Sequence, residues 1–225
     1  MCLKLAIEHF SKESILGLFC DTQFEHPFTY QHIHKMRQLY GVRIETITAG
    51  SVPDMIRKYR RFPNGAQRFC TEELKIWPSK RFYKNLAETQ GHGFEVWYGM
   101  RLAESHERAR RYSGKIDSEI YPPHEFMRKY PKYLHKLGVG FRLPILQLSA
   151  EAVLKFLNGE ENPLYNTFDR VGCFPCQAAG DGPKMKAYNY DEFGENQLKI
   201  IRILEKETGR SSFKKSGPGC SICEI

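Results

Sequence analysis

The 225-residue sequence has no apolar run of the ~18 residues that a membrane-spanning helix needs, so no segment reads as a membrane span. It has no internal repeat and no low-complexity tract, which excludes a solenoid and a biased linker-like chain. Residues 1–10, Met1 to Phe10, are too short and too charged to form a secretory signal. The seven cysteines lack the even number of a disulfide framework. Without an export signal they suit a reducing cytoplasm, where paired cysteines more often bind metal or do redox work. Also missing is any cap or strand ahead of the first amphipathic stretch, in which Leu3, Ile7 and Phe10 recur at helical spacing.

What is present is an ordinary globular composition, 41% hydrophobic and 27% charged, with a mean hydropathy of −0.53. The net charge is +8 and is unevenly spread. Residues 53–142 hold 19 Lys/Arg against 10 Asp/Glu, and the remainder 15 against 16, so the whole basic excess lies mid-chain. Such a block favours a phosphate-bearing partner, either a small phosphorylated ligand or a nucleic acid. A merely solvated basic face gives the same count.

The apolar run 15–20 reads as a buried strand, helical text runs from Pro27 to Tyr40 with Gly41 as C-cap, and 42–47 alternates as a second strand. A helix is expected near 53–61 and helical text at 71–89 interrupted by Pro78; 94–99 is a third strand. Residues 103–142, basic, aromatic and proline-punctuated, read as an irregular excursion or lid. Ser149 signs the start of a helix ending near Asn158, and another spans about 191–208. The Ser/Gly/Lys-rich 208–219 reads as a mobile connection. The alternation predicts a three-layer, doubly wound α/β fold with a mostly parallel sheet. Residues 1–158 would form a nucleotide-binding domain and 159–225 a Cys-containing metal region.

Four constellations carry chemistry. Cys173-Phe174-Pro175-Cys176 and Cys220-Ser221-Ile222-Cys223 are two C-x-x-C pairs, able to converge as a four-thiolate site for zinc or a [4Fe–4S] cluster. A redox dithiol and unrelated free cysteines are the alternatives. Gly99 to Arg111 follows a predicted strand and offers arginine forks to a phosphate or sulfate, or else forms an exposed helix laced with ion pairs. Asp21-Thr22, with Glu25-His26-Pro27, lies at a strand's carboxyl end, where nucleotides bind in such sheets. Finally, Thr71 reads as an N-cap with Cys70 just before it, where the helix dipole would lower the thiol pKa. Cys70 is thus a candidate reactive thiol or ligand, with inert burial as the alternative; Cys2 and Cys20 read as core.

In this order these segments resemble the phosphoadenosine phosphosulfate (PAPS) reductase family of the adenine nucleotide alpha hydrolase-like superfamily. The matching pieces are Asp21-Thr22 with Glu25-His26-Pro27, Arg68-Phe69-Cys70-Thr71 with Leu74-Lys75, and Gly99-Met100-Arg101 with Glu104-Ser105. They continue in Leu143-Pro144-Ile145, Asn162-Pro163-Leu164-Tyr165 and Arg170 to Cys176. The resemblance implies an adenine nucleotide (ATP, PAPS or its unphosphorylated analogue APS) across the strand ends. Asp21 and Thr22 would lie near the nucleoside, and Arg101, Glu104 and Arg108 at the anionic group. Cluster-bearing relatives use a cysteine at the position of Cys70, which therefore competes with Cys220 or Cys223 as fourth ligand.

Two departures qualify the match. The strand and S-G-G-x-D-S loop that open the family pattern have no counterpart, and residues 1–10 resemble the helix that follows that loop. The tail ends Cys220-Ser221-Ile222-Cys223-Glu224-Ile225 rather than in an E-C-G-x-H-type motif, with Cys223 as a candidate thiol. The missing strand would be central, and each unpaired buried amide costs about 1–3 kcal/mol. The expectation is that Met1 is internal to a longer natural protein, or that another segment or copy completes the sheet. Three functions fit: sulfonucleotide reduction or related sulfur transfer with a thiol electron donor; an ATP pyrophosphatase or sulfurtransferase acting on nucleic acid; and a non-catalytic binding module.

Overall fold

The computed structural model describes residues 1–127 and 129–214; Cys220 and Cys223 lie outside the described residues. Helices and strands alternate through the first half. Helix α1 (Cys2–His9) precedes strand β1 (Leu16–Asp21), then α2 (Pro27–Tyr40), β2 (Arg43–Thr48) and α3 (Val52–Tyr59). A helical run follows in three pieces: α4 (Phe69–Thr71), a wide π-turn over Glu72–Ile76, and α5 (Trp77–Gln90). Beyond it come β3 (Glu95–Trp97), α6 (His106–Tyr112), α7 (Pro123–Phe126), α8 (Lys132–Lys136) and β4 (Gly140–Arg142). Helices α9 (Ala150–Leu157), α10 (Asp181–Tyr188) and α11 (Glu192–Thr208) complete the described chain.

Local chemistry accounts for the boundaries. Ser51 and Asp54 close a capping box on α3, and Ser149 accepts the Ala152 amide at the start of α9. Gly41 and Gly209 adopt left-handed φ values of 63° and 66° past α2 and α11, where a side chain would be strained.

Among the described residues the strands form two two-stranded sheets, β1–β2 and β3–β4. The second is parallel, with Glu95 opposite Gly140 and Trp97 opposite Arg142. Helices and parallel strands of this kind fit an α/β fold.

The chain divides into two compact units that interleave along the sequence. Among the described residues, one comprises 1–17, 36–44 and 79–161, the other 18–35, 45–78 and 162–214. In the first, Phe141 on β4 is fully buried among Tyr83, Tyr98, Phe126 and Tyr130. The backbones of Gly93 and Gly138 approach so closely that a Cβ on Gly93 would lie 2.2 Å from the Gly138 carbonyl oxygen. In the second, Phe24, Ile56, Leu74, Tyr188, Ile201 and Leu204 form the centre of the core.

Three expectations need correction. Residues 103–142 are not irregular throughout: they carry three short helices and β4, the parallel partner of β3. Pro78 does not break the helical text: the run stays helical from Phe69 to Gln90, with the π-turn over Glu72–Ile76 just ahead of the proline. Residues 208–214 are fixed rather than a mobile connection, since Ser212 and Phe213 are buried and the Ser212 amide donates to Glu205 at 2.7 Å.

Candidate functional site

The sequence-predicted residues fall into two groups, one in each unit. The first gathers around the turn after β1. Asp21 Oδ1 accepts the Gln23 amide and the Tyr30 hydroxyl, both at 2.8 Å. This holds Gln23 at a left-handed φ of 52°, unusual for a residue with a side chain. Thr22 is 1% exposed, and its hydroxyl donates to Glu25 Oε1 at 2.8 Å. Glu25, also buried, accepts the backbone amides of Thr22 and Phe24 at 3.2 Å each. Thus the inside of the turn is wired by one carboxylate, and Thr22 serves to hold it.

The same turn is fastened to the first C-x-x-C. Glu25 and Cys173 form an antiparallel bridge, and the Phe174 amide donates to the Phe24 carbonyl at 2.7 Å. Cys173 Sγ lies 3.3 Å from Thr22 Oγ1 and 3.9 Å from Glu25 Oε1. His26, 2% exposed, locks the arrangement from behind: Nε2 donates to Asp191 Oδ2 at 2.8 Å while Nδ1 accepts the Phe28 amide at 3.1 Å. Rings of Phe28, Phe174, Tyr190 and Phe193 surround it. Asp191 is also the N-cap of α11, so one carboxylate serves both helix and turn.

Lys75 supplies the charge of this group. Burial works against its ammonium, but Cys173, Glu25, Cys20 and Cys176 outweigh that and leave its pKa raised. Burial pushes the Cys173 thiol up to about 11, opposed by Lys75. The expectation for Cys70 is overturned. The helix begins at Phe69 with Arg68 as N-cap, so Thr71 caps nothing and Cys70 lies within the first turn. Burial, then the neighbouring Cys176, raises its pKa instead of lowering it. Cys176 itself is exposed.

Among the described residues no three His, Cys, Asp or Glu side chains converge as ligands. Cys173 and Cys176 flank one turn as half of a four-thiolate set would, but the described residues alone do not complete a site.

The second group lies in the other unit, after β3. Gly99 passes close to Cys2, whose sulfur would be 3.3 Å from a Cβ placed there. The Leu102 amide donates to the Leu146 carbonyl at 3.0 Å, fixing the segment to the strand-to-helix connection beyond β4. Ser105 caps α6 by accepting the Arg108 amide at 3.2 Å. That cap turns Glu104 and Arg108 together: Glu104 pairs with Arg108, and on its other oxygen with Arg101 Nε at 3.5 Å. Two guanidiniums on one carboxylate leave one net positive charge, part-buried, a suitable receptor for an anionic group.

Reasoning from sequence left Lys75, Glu25 and the His26–Asp191 pair without roles. For Lys75 the signal was its place one turn beyond Cys70, on the same helical run. Nothing local links His26 to Asp191, 165 positions away.

The helices and parallel strands that carry these two groups fit an α/β protein. Residues 1–179 match the phosphoadenosine phosphosulfate reductase domain, and the chain belongs to that family. It is also 28% identical over 173 residues to an uncharacterized protein of Methanocaldococcus jannaschii. That match covers 75% of this chain and 32% of the relative, so the chain spans about a third of the length of the curated relative it matches. Among the described residues no helix is long and apolar enough to cross a membrane.

Proposed function

We propose that this chain carries out thiol chemistry on an adenine sulfonucleotide (PAPS or APS). The family membership supports a sulfonucleotide-related function. The observation that carries the finer reading is the fastening of the turn after β1 to the C-x-x-C, with Lys75 among the cysteines. A nucleotide bound at that turn would present the sulfate of its phosphosulfate anhydride to thiols held by the same backbone.

The chemistry balances as two displacements. A thiolate attacks the sulfate sulfur, the sulfur–oxygen bond to the nucleotide breaks, and the departing phosphate oxygen keeps the electron pair. The enzyme thiosulfonate so formed is then attacked at its thiol sulfur by a second thiolate, releasing sulfite and leaving a disulfide. A dithiol donor reduces that disulfide. Burial disfavours the Cys70 thiolate, so Cys223 is the proposed attacking thiol. Cys173, Cys176 and Cys220 would supply thiolates to zinc or a [4Fe–4S] cluster, which would provide a cross-link to the tail; Cys70 does not converge with Cys173 and Cys176 among the described residues. Arg101 and Arg108, oriented by Glu104, are proposed to bind an anionic group, and Asp21, on the turn after β1, to face a nucleoside.

Residues 1–158 would bind the nucleotide on a doubly wound sheet, with 159–225 as a Cys-rich appendage. The free edge of β1, which pairs only with β2 among the described residues, would accept a further strand from another segment or copy. A cytoplasmic setting follows from the need for reduced thiols.

The test supplies a sulfate-labelled sulfonucleotide and a dithiol reductant and measures labelled sulfite. Sulfite release lost on Cys223→Ser supports the reading. Pyrophosphate release from ATP with no sulfite would favour the ATP pyrophosphatase reading, and neither product would favour a binding module.

A further inference from the structure

We propose that helices α5 and α8 form a docking face for the phosphodiester backbone of a polynucleotide. This goes beyond the sulfonucleotide reading and stands or falls apart from it.

Of the mid-chain basic excess, residues 79–142 hold 13 Lys/Arg against 7 Asp/Glu, all within one compact unit. Four of those seven acids are already engaged. Glu88 pairs with Lys84, Glu95 with Arg142, Glu107 with Arg111, and Glu104 with both Arg101 and Arg108. Lys80, Lys132 and Lys136 pair with no carboxylate among the described residues.

The fold holds these three cations on neighbouring elements. Lys80 Nζ donates to the Lys129 carbonyl at 3.1 Å, tying α5 to the segment that leads into α8. Behind that contact runs a chain of tyrosine hydroxyls, Tyr83 to Tyr98 at 3.2 Å and Tyr98 to Tyr130 at 2.7 Å, with the rings of Tyr83 and Tyr130 stacked. Leu134, fully buried, anchors α8 so that Lys132 and Lys136 lie exposed one turn apart, about 6 Å along the axis. Tyr133, between them in sequence, is 41% exposed.

Buried hydroxyl bonds and ring stacking fix α5 to the segment ahead of α8, and these lysines form no ion pair with a carboxylate among the described residues, so their charge is open to a partner from outside. Its spacing along one helix suits successive phosphates of a strand, and an exposed tyrosine among lysines offers a base a stacking platform. A small anion would engage one or two of these cations and leave the aromatic face unused.

The probe is a fluorescently labelled, mixed-sequence single-stranded RNA, titrated by anisotropy between about 50 and 200 mM salt. Expected for the K80E/K132E/K136E chain is at least ~10-fold weaker binding and a salt slope shallower by about 2, from three lost phosphate contacts at ~0.7 each. A charge-matched K12E/K155E/K199E chain, altered at exposed lysines elsewhere, should stay within about threefold of the unsubstituted protein. Tyr133→Ala should cost about fivefold or more on single strands. Should the triple variant melt early, K132Q/K136Q carries the same test with a slope change of about 1.4. Equal weakening by patch and charge-matched variants, or no binding at the lowest salt, overturns the proposal.

Discussion

Replacing Glu25 with alanine tests whether the turn after β1 is held by one carboxylate. Glu25 is 3% exposed and accepts hydrogen bonds from the Thr22 amide, the Thr22 hydroxyl and the Phe24 amide, with the Cys173 thiol as a longer fourth donor at 3.9 Å. Alanine leaves two buried amides and one buried hydroxyl without that acceptor. Each such group costs about 1–3 kcal/mol, though relaxation of the turn and entry of water recover part of the sum. A net loss of about 3–5 kcal/mol is expected, a large share of the ~5–15 kcal/mol that folds a typical domain. Glu25→Gln keeps one oxygen acceptor but turns an NH2 toward donors, and should lose about half as much. Urea denaturation followed by circular dichroism gives both values, with an unchanged slope confirming that stability alone has moved. A loss below ~1 kcal/mol for Glu25→Ala would refute the assignment of Glu25 as the organiser of the turn.

Other substitutions probe other parts of the account. Gly93→Ala places a Cβ 2.2 Å from the Gly138 carbonyl oxygen, backbone that cannot swing aside, and should cost about 2–4 kcal/mol in a thermal melt. Arg101→Ala should weaken sulfonucleotide binding by calorimetry about tenfold or more while shifting the melt little, because it removes a charged hydrogen-bond donor from Glu104's surroundings rather than from the core. In metal-free protein Cys173 keeps its proton up to about pH 11, above the ordinary thiol value. Because the neutral thiol is the form that fits its buried place, its contribution to stability is intact below about pH 9 and fades as pH rises towards 11. Alkylation of Cys173 should speed up by about tenfold per pH unit over the same range, and a plateau near neutrality would contradict the burial argument.

Elements fixed by short-range chemistry were legible in the sequence. The run 15–20, the helix closed by Gly41, the Ser149 cap and the 191–208 helix appear within a residue or two of expectation, because each is decided by apolar period and cap residues. Three failures share a different cause. Strand β4 is only three residues long and depends on pairing with β3, 45 positions away in register, so no local period announces it. Thr71 has the chemistry of an N-cap, but the helix starts at the buried Phe69, three residues before the position a Thr71 cap would give, and burial raises the Cys70 pKa where a lowering was expected. Ser212 and Phe213 look like linker, yet Glu205 and Gln177 bind the serine and Tyr188 packs against the phenylalanine. In the candidate site, the ordered motifs gave the family and the Arg101–Glu104–Arg108 cluster. Contacts made across the fold, such as Glu25 with Cys173 and His26 with Asp191, were not readable because a one-dimensional spacing does not encode them.

The central claim is that a cysteine of this chain takes the sulfonate group from an adenine sulfonucleotide. Incubating the reduced, donor-free protein with PAPS and then measuring intact and peptide masses tests it most directly. The account predicts a single sulfonate adduct on a cysteine, first on Cys223, removed by adding a dithiol with release of sulfite. An unmodified chain that has nevertheless bound the nucleotide would contradict it.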